Sequence, residues 1–252
     1  MPTPPLLPPP SDLRAVLLDS GGVLIRPIGG RWNPRADFEQ TVLTRRPDLT
    51  PARFAEAVAT GDRFLDAAPT TPDPDDYHRV LLHALDVDPD PHLLADLRRD
   101  VPAPTVLETY PDVAPTLDEL RRRGVRMAVV SDAWPNLPRL HEELGIGHFF
   151  EAYAISAELG CNKPDPRMYH HAATALGLAP AQCLFVDDDP RLVAAALDLG
   201  YAGRALCREP AAGDPPPTGV AAIASLTDLL DLLRPTPPRP AAGRPPGPMR
   251  TP

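Results

Sequence analysis

Four short stretches of this sequence carry side chains able to act together on a phosphoryl group. Asp19 closes the apolar run 15–18 and is followed by Ser20-Gly21-Gly22, while Ser131-Asp132 close a second apolar run, 125–130. Asp187-Asp188-Asp189 close a third run, 183–186, and Lys163 lies between the second and third in GCNKPDP. An aspartate able to act as a nucleophile, a hydroxyl beside backbone N–H groups at a helix start, a lysine and a second acidic cluster are the inventory for metal-assisted phosphoryl transfer. Carboxylates brought together repel one another unless a cation separates them. Mg²⁺ takes one or two carboxylates along with phosphate oxygen and water, so Asp19 and Asp188 form an expected ligand pair, with Ser131 and Lys163 left for the phosphoryl oxygens. Singly, each residue has a plainer reading: a solvated lysine, a capping serine, an acid in a capped turn.

For these groups to meet, the three runs must be parallel strands of one sheet. Each is short and continuously apolar, the pattern of a strand covered on both faces. Parallel strands present their carboxyl ends at one edge, where ligand crevices form. Beyond Pro111 the pattern alternates regularly: helices over 113–123, 135–144, 166–176 and 190–199, a weak strand at 152–155, a short one at 203–207 and a last helix at 225–233. The segment from Ile25 to Thr109 shows helical spacing and no convincing strand. Asn33-Pro34, Thr50-Pro51 and Asp73-Pro74 each read as an N-cap followed by proline at the first helical position, and a fourth helix is expected near 92–99. Some eighty residues far exceed what a strand crossover needs, so residues 26–109 are expected to form a helical cap over the site.

Composition bounds the rest. A chain of 252 residues can bury a full core, yet 37 prolines are about three times the usual ~5 %. Six of the first ten residues are proline, and the tail from Arg234 is proline, arginine, glycine and alanine. Residues 1–11 and 234–252 are therefore expected to be disordered, leaving 12–25 and 110–233 for the core. The net charge of −9 argues against nucleic acid or an anionic membrane as partner. The start of the chain has neither the basic nor the long apolar region of a signal peptide, and no run reaches the length of a membrane span, so a cytoplasmic protein, monomer or homodimer, is expected. Cys161, Cys183 and Cys207 are an odd number without metal-ligand spacing and are expected as reduced thiols, and the seven histidines form no ligand cluster.

The ordered set LLDSGGVL, VVSD, the lysine of CNKPDP, and FVDDDPRLVAAALDLG resembles the four motifs of the haloacid dehalogenase-like hydrolase superfamily over about residues 13–206. That resemblance implies an α/β fold, a Rossmann-like parallel sheet core with a helical cap insert, in the cap subclass that contains many small-molecule phosphatases. It implies Asp19 as the nucleophile that forms an aspartyl-phosphate, and Asp19, the backbone carbonyl of Gly21, Asp188 and Asp187 as holders of Mg²⁺. Ser131 with Asp132 would bind the phosphate group of a small phosphorylated metabolite, and Lys163 would neutralise both phosphate and Asp19. Asp189 receives no role.

The sequence departs from the superfamily pattern at Gly21. Phosphatases of that family usually carry there a second aspartate, which protonates the leaving group and later activates water. A general acid of this kind contributes typically ~10² to 10⁴ in rate. Its absence leaves three readings: a phosphatase for good leaving groups or with an acid recruited from the cap, a dehalogenase-like hydrolase, or a non-catalytic binding protein. The retained carboxylates favour metal and phosphate, because acids facing Asp19 would raise the pKa of a nucleophile working without a metal. Arg31, Trp32 and Arg35 stand near the start of the insert, where they could meet a leaving group or lie exposed in a structural role.

Overall fold

The structure, a computed structural model, describes residues 13–208 and 219–233; the Pro-rich stretches 1–11 and 234–252 lie outside them. Strand β1 (Ala15–Leu18) is wholly buried at the centre of a six-stranded parallel sheet of order β5-β4-β1-β6-β7-β8. The remaining strands are β4 (Arg126–Ser131), β5 (Ala152–Ile155), β6 (Cys183–Asp187), β7 (Ala202–Leu206) and β8 (Ala222–Ile223). Side chains alternate across a strand, and both faces here are apolar. Val16, Leu18, Val129 and Val186 enter one core with Leu117 and Leu120 of α5 (Val113–Arg122). Ala15, Leu17, Val130 and Phe185 enter a second core on the other face. There they meet Met168 and Ala172 of α8 (Pro166–Ala175) and Val193 of α9 (Pro190–Asp198); α6 (Leu137–Glu143) follows β4 and α7 (Ser156–Leu159) follows β5. Strand β1 pairs with β4 on one side and β6 on the other, so its carboxyl end lies at the point where the strand order reverses, the place where open α/β sheets form a crevice.

Between residues 28 and 102 the chain forms four helices, α1 (Phe38–Leu43), α2 (Pro51–Ala67), α3 (Pro74–Ala84) and α4 (Pro91–Arg98). They bury a third cluster of their own, including Phe38, Phe54, Tyr77, Leu81 and Leu93. Thr50 and Asp73 cap α2 and α3 ahead of proline, as their sequence predicts. Two expectations for this segment are corrected. Asn33-Pro34 starts no helix: the peptide bond is cis, the chain runs irregularly through it and α1 begins only at Phe38. Two strands also flank the segment, β2 (Ile25–Pro27) and β3 (Leu107–Thr109), paired antiparallel with Arg26 opposite Glu108 at 2.8 Å. Three residues are too few to display an alternation, so only the pairing reveals them.

The loop from α2 to α3 rests on the sheet-bearing part. Thr70 Oγ1 donates to the Ser156 carbonyl at 3.0 Å, Asn162 Nδ2 to the Ala68 carbonyl at 3.4 Å, and Trp134 Nε1 to the Pro72 carbonyl at 2.7 Å. Trp134→Phe keeps an aromatic ring, smaller than the indole, and deletes one of these bonds. It should cost no more than ~1 kcal/mol of global stability while speeding amide exchange at Thr70, Thr71 and Asp73. Unchanged exchange at those amides would show that the loop is held by other means.

Candidate active site

Asp19 lies one residue past β1, its N–H donating to the Val186 carbonyl at 2.9 Å, so the β1–β6 ladder carries it alongside Asp187. The chain then folds back on itself, with the Leu24 and Ile25 N–H groups both donating to the Ser20 carbonyl. Ser20 turns its hydroxyl into the protein, 2.8 Å from His141 Nε2, and His141 Nδ1 lies 3.2 Å from the Tyr153 hydroxyl. Gly22 has φ +73, and a Cβ there would stand 2.1 Å from Asp188 Oδ2, so position 22 requires glycine twice over, by backbone and by space. Arg208 holds the same turn from outside: Nη2 donates to the Val23 carbonyl at 2.6 Å, Nε to the Gly22 carbonyl at 3.2 Å and Nη1 to Asp112, with the guanidinium 3.8 Å from the centre of the Tyr110 ring.

Lys163 is the hub. Its side chain is 4 % exposed, and Nζ donates to Asp19 Oδ1 at 2.6 Å and to Asp187 Oδ2 at 2.7 Å. Its backbone N–H donates to Asp132 Oδ1 at 2.9 Å. Burial by itself would depress the lysine, but the charges of Asp19, Asp187 and Asp132 outweigh it and hold the ammonium above its usual range. Burial pushes Asp187 and Asp188 upward, with the charge of Asp19 adding to it, and burial also raises Asp132. Asp19, Asp187 and Asp188 each offer an oxygen, all within 4.8 Å of one another. These residues fit a hard divalent cation: carboxylate donors alone, converging, with burial making the negative charge of Asp187 and Asp188 costly enough that they hold protons more tightly than usual.

All seven residues expected from the sequence, Asp19, Gly21, Ser131, Asp132, Lys163, Asp187 and Asp188, line a single cavity of about 840 Å³. Ser131 is the buried last residue of β4. Asp189 caps α9 by accepting from the Arg191 N–H, which accounts for it without a chemical role. Cys161 is buried and does not border the cavity, and burial raises its thiol pKa, the wrong direction for a nucleophile. The connection ahead of α1 lines the same cavity with Arg31, Trp32 and Arg35, and α3 adds Tyr77 and His78, whose buried Oη and Nδ1 have no protein hydrogen-bond partner. Gly21, unlike Gly22, does not have a left-handed backbone; a Cβ added to it would meet the Trp32 ring at 3.2 Å. The indole occupies the space into which a side chain at position 21 would grow.

A family model for haloacid dehalogenase-like hydrolases matches residues 13–200. The chain belongs to that family. Among characterised relatives, this family member is 37 % identical over 117 residues to a glyceraldehyde 3-phosphate phosphatase of Methanopyrus kandleri, covering 43 % of this chain and 48 % of that protein. It is 40 % identical over 85 residues to a phosphoserine phosphatase of Thermus thermophilus, covering 32 % and 33 %. The match thus spans a third to a half of the length of these relatives. A crystal structure of a defluorinating L-2-haloacid dehalogenase superposes with a TM-score of 0.64 at 23 % identity, covering 91 % of this chain and 99 % of that one, a likeness of fold.

Sequence reasoning missed His141 and Arg208. A lone histidine in a helix and an arginine after the last long strand carry no local signal; each acts on residues more than 120 positions away in sequence. His141 is fully buried, and burial pushes its pKa down to about 4. The folded protein therefore keeps it neutral while the unfolded chain takes up a proton below about 6.5. Stability should fall as pH drops from about 6.5 to about 4, by ~3 kcal/mol from this residue, and level off below. Denaturant unfolding at a series of pH values should show that slope in the native protein and a shallower one in His141→Gln; equal slopes would mean that His141 takes up its proton in the folded state.

Proposed function

We propose that this hydrolase is a Mg²⁺-dependent phosphatase of small phosphorylated metabolites, with residues 26–109 as its cap. The observation that carries the reading is the cluster of Asp19, Asp187 and Asp188 around the Lys163 ammonium. A halide displacement by Asp19 gains nothing from two further carboxylates, whereas phosphoryl transfer needs the cation they would hold. Asp19, Asp187, Asp188 and the main-chain carbonyl of Gly21 would bind Mg²⁺, which when bound neutralises charge on the phosphoryl oxygens.

An Asp19 carboxylate oxygen attacks phosphorus, the ester P–O bond breaks, and the alcohol oxygen leaves with the bonding pair. Lys163 and Ser131 with Asp132 hold the transferring group in line. Water then attacks phosphorus and frees Asp19 and inorganic phosphate. Among the described residues no helix is long and apolar enough to cross a membrane, which accords with the cytoplasmic setting proposed here for such metabolites. The phosphatase names among the relatives support the same substrate chemistry.

Purified protein should hydrolyse a generic phosphomonoester with Mg²⁺ and lose that activity in chelator. Halide release from 2-chloropropionate without metal would overturn the reading.

Gly21 gives the second test. Without a carboxylate at this position the leaving oxygen departs unprotonated, so a nitrophenolate should be released much more readily than an alkoxide. In Gly21→Asp the indole of Trp32 must give way by a few tenths of an ångström, since the new Cβ sits 3.2 Å from the ring. Turnover of an alkyl phosphate should then rise more than that of an aryl phosphate, by ~10-fold or more. Equal changes for the two substrates, in a variant that still folds and binds Mg²⁺, would mean that the acid comes from elsewhere, with the cap as its nearest source.

A further inference from the structure

Among the described residues only two large hydrophobic side chains are exposed, Ile28 at 44 % and Trp32 at 46 %. Single exposed apolar residues are ordinary, but these two share one wall of one cavity, the one that contains Asp19. Both belong to the irregular connection that leads from β2 to α1. Three of the indole carbons lie 3.2 to 3.6 Å from where a Cβ on Gly21 would stand, two residues from the nucleophile. In-line attack by Asp19 sends the leaving group away from the carboxylate into the cavity that this ring lines.

Two features of this wall converge on one kind of leaving group. The ring offers a broad π face, on which an aromatic partner gains ~0.5–1.5 kcal/mol beyond the area it buries. The same ring stands where a side chain at position 21 would begin, and no carboxylic acid is present there. An alcohol that leaves unprotonated must form a stable anion, and a phenol does so where an alkanol does not. The cavity lining includes the apolar Leu97, Val101, Val106 and Leu107 as well as the charged Arg31, Arg35, Arg98 and Arg99.

Resting on the phosphatase reading above, we propose that Trp32 is the wall of a leaving-group subsite that selects phosphomonoesters of planar aromatic alcohols. Gly21 and Trp32 act as a pair. The glycine leaves room for the ring, and the ring provides a stacking surface in place of a proton donor.

The test separates ring recognition from leaving-group chemistry by using phosphonates, which bind without being cleaved. Phenylphosphonate and cyclohexylphosphonate have nearly the same size and, at a pH above the second ionisation of both, the same charge, and differ in aromaticity. Titration calorimetry of the full chain with Mg²⁺ should show the native protein binding phenylphosphonate ~3- to 10-fold more tightly, the range that corresponds to the stacking gain. Trp32→Leu should bring the two affinities within about twofold of each other, and Trp32→Phe should retain a preference. Equal binding of both phosphonates by the native protein overturns the subsite and leaves the phosphate site standing, and that comparison needs no variant to fold. A preference that survives unchanged in Trp32→Leu also overturns it, since the selectivity would then come from another wall. Binding of neither phosphonate overturns the phosphatase reading and the subsite together.

Discussion

The buried ammonium of Lys163 is the interaction on which the rest of the site depends. Strand pairing alone brings Asp19 beside Asp187, because Leu18 pairs with Val186 and the next residue of each strand is an aspartate. Two such carboxylates, each under a tenth exposed, repel one another in a medium that screens poorly. A single Nζ bonded to both resolves this, and loss of one partner of such a buried pair typically costs ~3–5 kcal/mol because the other charge is left uncompensated. The arrangement is only half balanced, however: Asp132 and Asp188 also lie near the lysine, and burial holds Asp132, Asp187 and Asp188 above their ordinary range. The sheet thus assembles more negative charge than Lys163 can neutralise.

The parts of this arrangement that were legible in the sequence are those dictated by strand geometry. Continuous apolar runs ending in Asp19, Ser131 and Asp187 required strands buried on both faces, and the two cores on either side of the sheet are the physical counterpart of that pattern. The necessity of glycine at 22 comes in part from Asp188, far along the chain, which no local pattern displays. What escaped was set by contacts between distant segments. The β2–β3 neck is three residues long on each side, and the Asn33-Pro34 pair carried a helix-start signal that the chain overrides where it passes over the cavity. His141 behind Ser20 and Arg208 against the Gly22 and Val23 carbonyls belong to the same class: ordinary residues given meaning by partners more than a hundred positions away.

Position 21 joins the two kinds of information. The sequence showed an absent carboxylate; only the fold shows what took its place. Because the Gly21 backbone is not left-handed, no conformational demand calls for glycine there, and the constraint is the Trp32 ring. Trp32 belongs to the segment proposed as the cap, so the sheet edge and the surface above it meet at position 21, where the ring stands within reach of any added side chain. A substitution on one side is felt on the other.

The central claim is that Asp19 attacks phosphorus. It is tested most directly by stopping the Mg²⁺-loaded protein with acid during turnover of an aryl phosphomonoester and locating covalent phosphate by peptide mass mapping. The account predicts acid-trapped phosphate on the peptide that carries Asp19, bonded to its carboxylate and released by hydroxylamine. Turnover without covalent phosphate there, or phosphate on another side chain, would contradict it.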